Sequence, residues 1–225
     1  MIDIHPPSHG SLTRRDFFVH LGIVVLGILI AIGLEQTMEF FHKRHQAEHA
    51  QQALRDESLQ NRALVQHDLP SIGEAQQLIR MNMRALDHVS SSAPFHPLPY
   101  ASPTFVLTPH DIAWLALRDS ELIPLLPSEL STTYWEMEYD RSITADANAQ
   151  IVQRRDDVER LLHLHDDPAT LSVAERESLL LAFSALDQAL TNMRTALLIY
   201  NQANEAALAG KPFNPDTVFD QAGVR

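Results

Sequence analysis

The stretch TRRDFFVHLGIVVLGILIAIGLEQ, residues 13–36, decides the architecture of this chain. Residues 17–34 contain a single polar side chain, His20. As an α-helix this run spans about 27 Å, because each residue adds about 1.5 Å. That length is close to the thickness of the hydrocarbon core of a bilayer. We therefore predict a transmembrane helix over residues 17–34.

The same stretch allows two interpretations, a permanent anchor or a signal that is removed. Arg14 and Arg15 followed by aromatic residues are similar to a twin-arginine export signal, whose apolar region usually precedes a small-residue cleavage site. Here the chain continues instead as GLEQTMEFFHKRH, which is charged and helix-forming. The sequence favours the uncleaved anchor.

The charges around the apolar run predict its orientation. Arg14 and Arg15 directly precede it, whereas Glu35 and Glu39 follow it before Lys43 and Arg44. Basic residues tend to stay in the cytoplasm. We expect residues 1–16 to form a cytoplasmic tail and everything after the span to be exported, which in a bacterium places it in the periplasm beside the inner membrane.

Composition excludes several classes of function. The net charge of −12 leaves no basic excess to neutralise nucleic-acid phosphates, so no nucleic-acid partner is expected. The chain has no cysteine, which excludes disulfides and thiolate chemistry. No serine lies in a glycine-flanked elbow, and no glycine-rich phosphate loop is present. We predict an all-α protein that is not an enzyme and has no cofactor, apart from a possible divalent metal.

Helical patterns continue after the span. We predict that the spanning helix extends into a helical stem over residues 35–69, which is either solvated or covered by a partner helix. Pro70 should end it, with Ser71 and Glu74 capping a second helix from Ile72. The proline-rich residues 90–107 predict an extended crossover.

The remaining pattern predicts an exported bundle over residues 70–210 and a flexible tail over residues 211–225. Thr108 and Pro109 should start a short helix, and Ser128 a long one to about His165. Ser172 with Glu175 predicts a capped last helix that ends at Gly210. Its apolar positions alternate by four and three, which favours an antiparallel three- or four-helix bundle with coiled-coil packing. They are Leu179, Phe183, Leu186, Leu190, Met193, Leu197 and Tyr200.

Histidines offer the main candidates for a binding site. Glu39, His42, His45 and His49 share one face of a helix, so imidazoles and a carboxylate could hold Zn²⁺ or a similar ion. The alternative is a solvated polar stripe beside the membrane. His20 could be functional or could only reach the membrane interface.

Two further groups each have a structural interpretation. His163 and His165 with Asp166 and Asp167 are more typical of a helix end than of a metal site. The aromatic residues Trp114, Tyr134, Trp135 and Tyr139 favour core packing over a ligand site.

Residues 16–45, DFFVHLGIVVLGILIAIGLEQTMEFFHKRH, resemble the N-terminus of a group of uncharacterised single-pass bacterial membrane proteins, and AWLALRDSELIPLLPSELSTTYWEMEY is similar to a pattern midway in them. The resemblance implies an anchored helical protein of the cell envelope and no catalytic residue. We predict an interaction or scaffold protein; an envelope sensor or metal-binding module is the alternative.

Association is expected through the membrane helix. Gly27 and Ala31 form a pair of small residues one turn apart, which would let a second helix approach closely. Glycine and alanine are also common in spanning helices for no specific reason. The partners expected are the membrane, a second copy of the chain or other envelope proteins.

Overall fold

The computed structural model describes residues 14–88, 108–163 and 171–214. Helix accounts for 89% of these residues, and no strand occurs among them, which confirms the predicted all-α fold. The elements are α1 (Arg14–Asp87), α2 (Ile112–Arg118), a 3₁₀ turn (Ile123–Leu125), α3 (Ser128–His163) and α4 (Val173–Leu208). The predicted crossover over residues 90–107, most of the cytoplasmic tail and most of the C-terminal tail lie outside the described residues.

The chain divides into two compact units, Met1–Glu48 and His49–Arg225. In the first unit, the described residues belong to the amino-terminal part of α1. This part is long and apolar enough to cross a membrane, and none of the side chains in its apolar window is buried. Residues 17–34 are exposed on every side of the helix.

The second unit is a three-helix arrangement with α2 placed on it. α1 and α4 run antiparallel, because Ser58 is bonded to Asn204 near one end of the contact and Gln76 is bonded to Asp187 near the other. α3 and α4 pack along each other, and Tyr134 near the start of α3 reaches the Leu54 carbonyl of α1. The core therefore lies between the carboxyl-terminal half of α1, α3 and α4.

The predicted apolar face and the two predicted ends of α4 are confirmed. All seven predicted apolar positions are buried, and Phe183, Leu186, Leu190, Met193 and Leu197 have no exposed surface. The Ser172 hydroxyl accepts from the Glu175 amide while the Glu175 carboxylate accepts from the Ser172 amide, so the capping box is present. Gly210 adopts a φ of 63° just after the helix, the left-handed conformation that glycine adopts without strain.

The predicted helix break at Pro70 is wrong. α1 continues through Pro70 to Asp87, and the Ser71 hydroxyl donates to the His67 carbonyl inside the helix instead of capping a new one. A proline inside a helix costs about 3 kcal/mol locally. Val65 before it and Ile72 after it are both buried in the core, so packing on either side outweighs that cost.

The boundary predicted at residues 69 and 70 therefore does not coincide with an end of a helix. Of the two interpretations of the stem, a covered face is observed for residues 49–69, where both apolar and polar side chains are buried against the other helices. The polar side chains in this covered face are Glu57, Ser58, Asn61 and Asp68.

Candidate functional site

A group of buried polar side chains on α1 fixes the position of the short helix α2. Asn61 is 1% exposed, and its amide donates to the His110 carbonyl and to the Tyr200 hydroxyl, each at 2.8 Å. Its side-chain oxygen accepts from the His110 amide at 2.7 Å. One side chain thus ties the segment before α2 to both α1 and α4.

Glu57, one turn before Asn61, completes the attachment of α2. Its Oε2 accepts from the Ala113 amide in the first turn of α2 at 2.8 Å, whereas the N-cap residue Asp111 makes no side-chain cap bond. The predicted start at Thr108 and Pro109 is therefore wrong by several residues. A carboxylate from a distant helix caps α2, which no local pattern can reveal.

Two tyrosines extend this network into the core. The Tyr134 hydroxyl donates to the Leu54 carbonyl at 3.1 Å and lies 2.8 Å from the Ser58 hydroxyl, which must then donate to it. Burial raises the pKa of both Tyr134 and Tyr200 above the ordinary value for a phenol. Both hydroxyls therefore keep their protons at any physiological pH and act as structural hydrogen-bond groups.

Held in this way, α2 presents Trp114 to α3. The Trp114 ring stacks on Tyr134 at a centroid distance of 5.5 Å and meets Trp135 edge to face at 5.2 Å. Its indole N–H donates to Glu138 at 2.7 Å, and Arg118 pairs with the same carboxylate. The guanidinium of Arg118 also lies 6.0 Å from the centre of the Trp135 ring.

Of the four aromatic residues predicted for the core, two are buried and two are exposed. Trp114 and Tyr134 are buried as expected, but Trp135 is 50% exposed and Tyr139 is 69% exposed. These two exposed rings line a groove of about 470 Å³ together with Phe213 from the segment after α4. Pockets for small ligands commonly have volumes in the range of about 300–1,000 Å³.

Carboxylates form the polar part of the same groove. Asp140 and Glu136 line it, and each has one buried side-chain oxygen without a hydrogen-bond partner. Burial, and then the negative charge of Glu136, raise the pKa of Asp140 from 3.8 to about 6. An aromatic groove with two under-paired carboxylates is therefore the candidate binding site of the second unit. Sequence reasoning did not identify it.

The predicted metal residues lie elsewhere. Glu39 pairs with Lys43 at 2.9 Å, and His42 is 3.0 Å from the Gln46 amide nitrogen, both within α1. Across the parts of the chain that the structure describes, no three histidine, aspartate or glutamate side chains form a group that could hold a metal ion. Metal binding through Glu39, His42, His45 and His49 stays a prediction.

The other candidate histidines either lie near a helix end or fall outside the residues that the structure describes. His20 donates to the Asp16 carbonyl one turn earlier, at 2.8 Å, towards the end of the helix that carries Arg14 and Arg15. His163 is exposed at the last position of α3. His165, Asp166 and Asp167 lie outside the described residues.

Comparisons with known proteins add no further constraint. Nothing matches this chain among protein-family models, curated proteins or solved structures.

The Asn61 network gives a first prediction. Asn61→Ala leaves the His110 backbone and the Tyr200 hydroxyl unpaired in a buried place, so it should lower the free energy of unfolding by about 2–4 kcal/mol. The measurement is urea unfolding of the full chain in a non-ionic detergent, followed by circular dichroism. Asn192→Ala, at an exposed position on α4, is the control and should change stability little. An equal decrease in the free energy of unfolding in the two variants would contradict the proposed role of the Asn61 hydrogen bonds.

Asp140 gives a second prediction, based on pH. Its pKa is raised in the folded protein, so its contribution to stability is full below about pH 4 and is lost as the pH rises through about 6. Asp140→Asn should therefore gain stability relative to the parent chain between about pH 4 and about pH 7.5, by about 1–2 kcal/mol after allowance for solvent screening.

Thermal unfolding of both chains across this pH range measures the difference. The matched control is Asp146→Asn, which removes the same charge from an exposed position on the same helix. A stability difference between Asp140→Asn and the parent that does not change with pH would contradict the burial of an under-paired carboxylate.

Proposed function

We propose that this chain is a single-pass, membrane-anchored helical interaction protein of the bacterial cell envelope. In this proposal residues 1–16 lie in the cytoplasm, residues 17–34 span the inner membrane, and the helical unit from His49 onwards lies in the periplasm. The anchor concentrates the helical unit at the membrane surface, where it contacts other envelope components. Its role is to bind and hold partners.

One observation carries the membrane part of the proposal. Thirteen large apolar side chains between Phe17 and Leu34 are at least 45% exposed, and they surround the helix on all sides. Fully covering an exposed side chain of this kind is worth about 1.5–3 kcal/mol, and these are about half exposed, so leaving all of them in water would cost about 10–20 kcal/mol. A helix that is apolar all round requires either a protein core or lipid around it. Lipid is the environment that its length fits.

The buried polar groups support a binding role over catalysis. Glu57, Asn61 and Asn204 use their side chains to bond backbone groups of other segments, which is a structural use. The open groove beside Trp135 and Tyr139 is instead accessible from solvent and lined by side chains suited to recognition. The unit is thus a rigid helical support that presents a groove.

Self-association through the anchor is the second part of the proposal. A side chain added at Gly27 would meet no atom within 4 Å in the single chain. The small surface at Gly27 and Ala31 is therefore available to another helix, and close backbone approach gives van der Waals packing in lipid. A dimer would double the number of grooves held at one place.

The anchor gives a third prediction. The full chain should remain in the membrane fraction after alkaline carbonate washing and should require detergent for release, whereas a variant lacking residues 17–34 should be soluble. A phosphatase fused after Arg225, which is active only outside the cytoplasm, should be active when the full chain is expressed in a bacterium. Release of the full chain by carbonate, or an inactive phosphatase with a cytoplasmic reporter active instead, would contradict the proposal.

The small-residue pair gives a fourth prediction. Gly27→Leu should reduce the dimer fraction in detergent by about tenfold, because the larger side chain holds the helices apart. Gly22→Leu is the matched control, because Gly22 lies about 140° around the helix from Gly27. Cross-linking of the full chain at several detergent ratios measures the dimer. A dimer fraction that both substitutions leave unchanged would show that Gly27 is not in the contact.

A further inference from the structure

The groove between α3 and the segment after α4 has two kinds of wall. The exposed rings of Trp135 and Tyr139, with the half-buried Phe213, supply aromatic surface. Thr132, Glu136 and Asp140 supply oxygen atoms. Each of the five α3 residues in this lining lies three or four positions from another of them, so together they occupy neighbouring turns of one face.

The carboxylates in this groove have capacity for a ligand. Asp140 is only 8% exposed, yet its Oδ2 has no hydrogen-bond partner, and the same holds for Oε2 of Glu136. A buried acceptor without a partner costs about 1–3 kcal/mol, more when it carries a charge. A cation held in the groove would offset the negative charge of these two carboxylates by charge attraction, with or without a hydrogen bond. It would also screen the repulsion between them.

The aromatic walls favour the same kind of ligand. A cation is attracted to the face of an aromatic ring, most strongly to Trp, by about 0.5–2 kcal/mol per ring. Trp135 already makes such a contact within the chain, because the Arg118 guanidinium lies 6.0 Å from its ring centre. The chain as a whole carries a net charge of −12, which raises the local concentration of cations around it.

We propose that this groove binds an organic ammonium cation of small-molecule size. Its alkyl groups lie against Trp135, Tyr139 and Phe213, and its charge is neutralised by Asp140 and Glu136. The aromatic surface distinguishes such a ligand from a metal ion, which would use oxygen or nitrogen ligands alone. The volume of about 470 Å³ suits a small molecule. The inference goes beyond the proposed function and does not depend on the membrane anchor.

The test uses the full chain in dodecyl maltoside and phosphate buffer, free of other amines. Isothermal titration compares choline with 3,3-dimethyl-1-butanol, its neutral analogue in which carbon replaces the charged nitrogen. We expect choline to bind at least about tenfold more tightly than the analogue, because only choline gains the cation contacts. Equal binding of the two, or no binding of choline, would overturn the proposal.

Variants locate the site. Asp140→Asn and Tyr139→Ala should each weaken choline binding by about tenfold, while Tyr139→Phe keeps the ring and should bind like the parent. The matched control Asp146→Asn should bind choline like the parent, because Asp146 is exposed outside the groove. Circular dichroism of each variant shows whether it is folded, and Tyr139 at 69% exposure should tolerate change. Binding that persists in both weakened variants would overturn the assignment to this groove.

A further titration separates a free ligand from a side chain of another protein. Nα-acetyl-lysine amide carries the same type of charge as an ammonium on a polypeptide. Choline binding more tightly than this compound supports a small-molecule ligand. The opposite order would overturn the small-molecule assignment in favour of a lysine of a partner protein. None of these measurements depends on where the chain lies in the cell, so failure here leaves the proposed membrane function unaffected.

Discussion

The hydrogen bonds of Asn61 are the constraint on which the second unit depends. A buried amide is costly unless its donors and acceptor are all paired, and here they bond the His110 backbone on both sides and the Tyr200 hydroxyl. These bonds hold the segment before α2 at the level of Asn61, about seven turns before the end of α1. The position of Trp114, and through it that of Trp135 and the groove, follows from that attachment.

The sequence was sufficient wherever the determining contacts are local or periodic. In α4 the repeat of four and three places the seven predicted apolar residues on one side, and the Ser172 box lies within four residues, so both could be predicted. The covered half of α1 could not be predicted in the same way. Its inward positions include Glu57, Ser58 and Asn61, which resemble a solvated surface until their distant partners are known.

The other differences between the predicted and the observed structure also arise from contacts between residues that are distant in the sequence. Pro70 is an ordinary helix breaker, and only the packing of Val65 and Ile72 shows why the helix continues. α2 begins at Ile112 because Glu57 of α1 caps it, whereas Thr108 and Pro109 offered a plausible local start. Trp135 and Tyr139 follow Tyr134 in the chain, yet successive positions on a helix face different directions, so composition alone could not separate the buried rings from the exposed ones.

Asp140 connects the packing of α3 to the groove. It lies three residues after the buried Met137 and four before the buried Thr144, so it occupies an inward position of the helix seam. An apolar residue of similar size there would avoid the cost of a buried, under-paired carboxylate. Sites that bind ligands commonly retain such a cost, because the group that destabilises the free protein is the one that the ligand satisfies. The adjoining positions 135, 136 and 139 carry two aromatic rings and a second carboxylate, so the proposed cation would compensate the charge at Asp140 at the place where the aromatic surface lies.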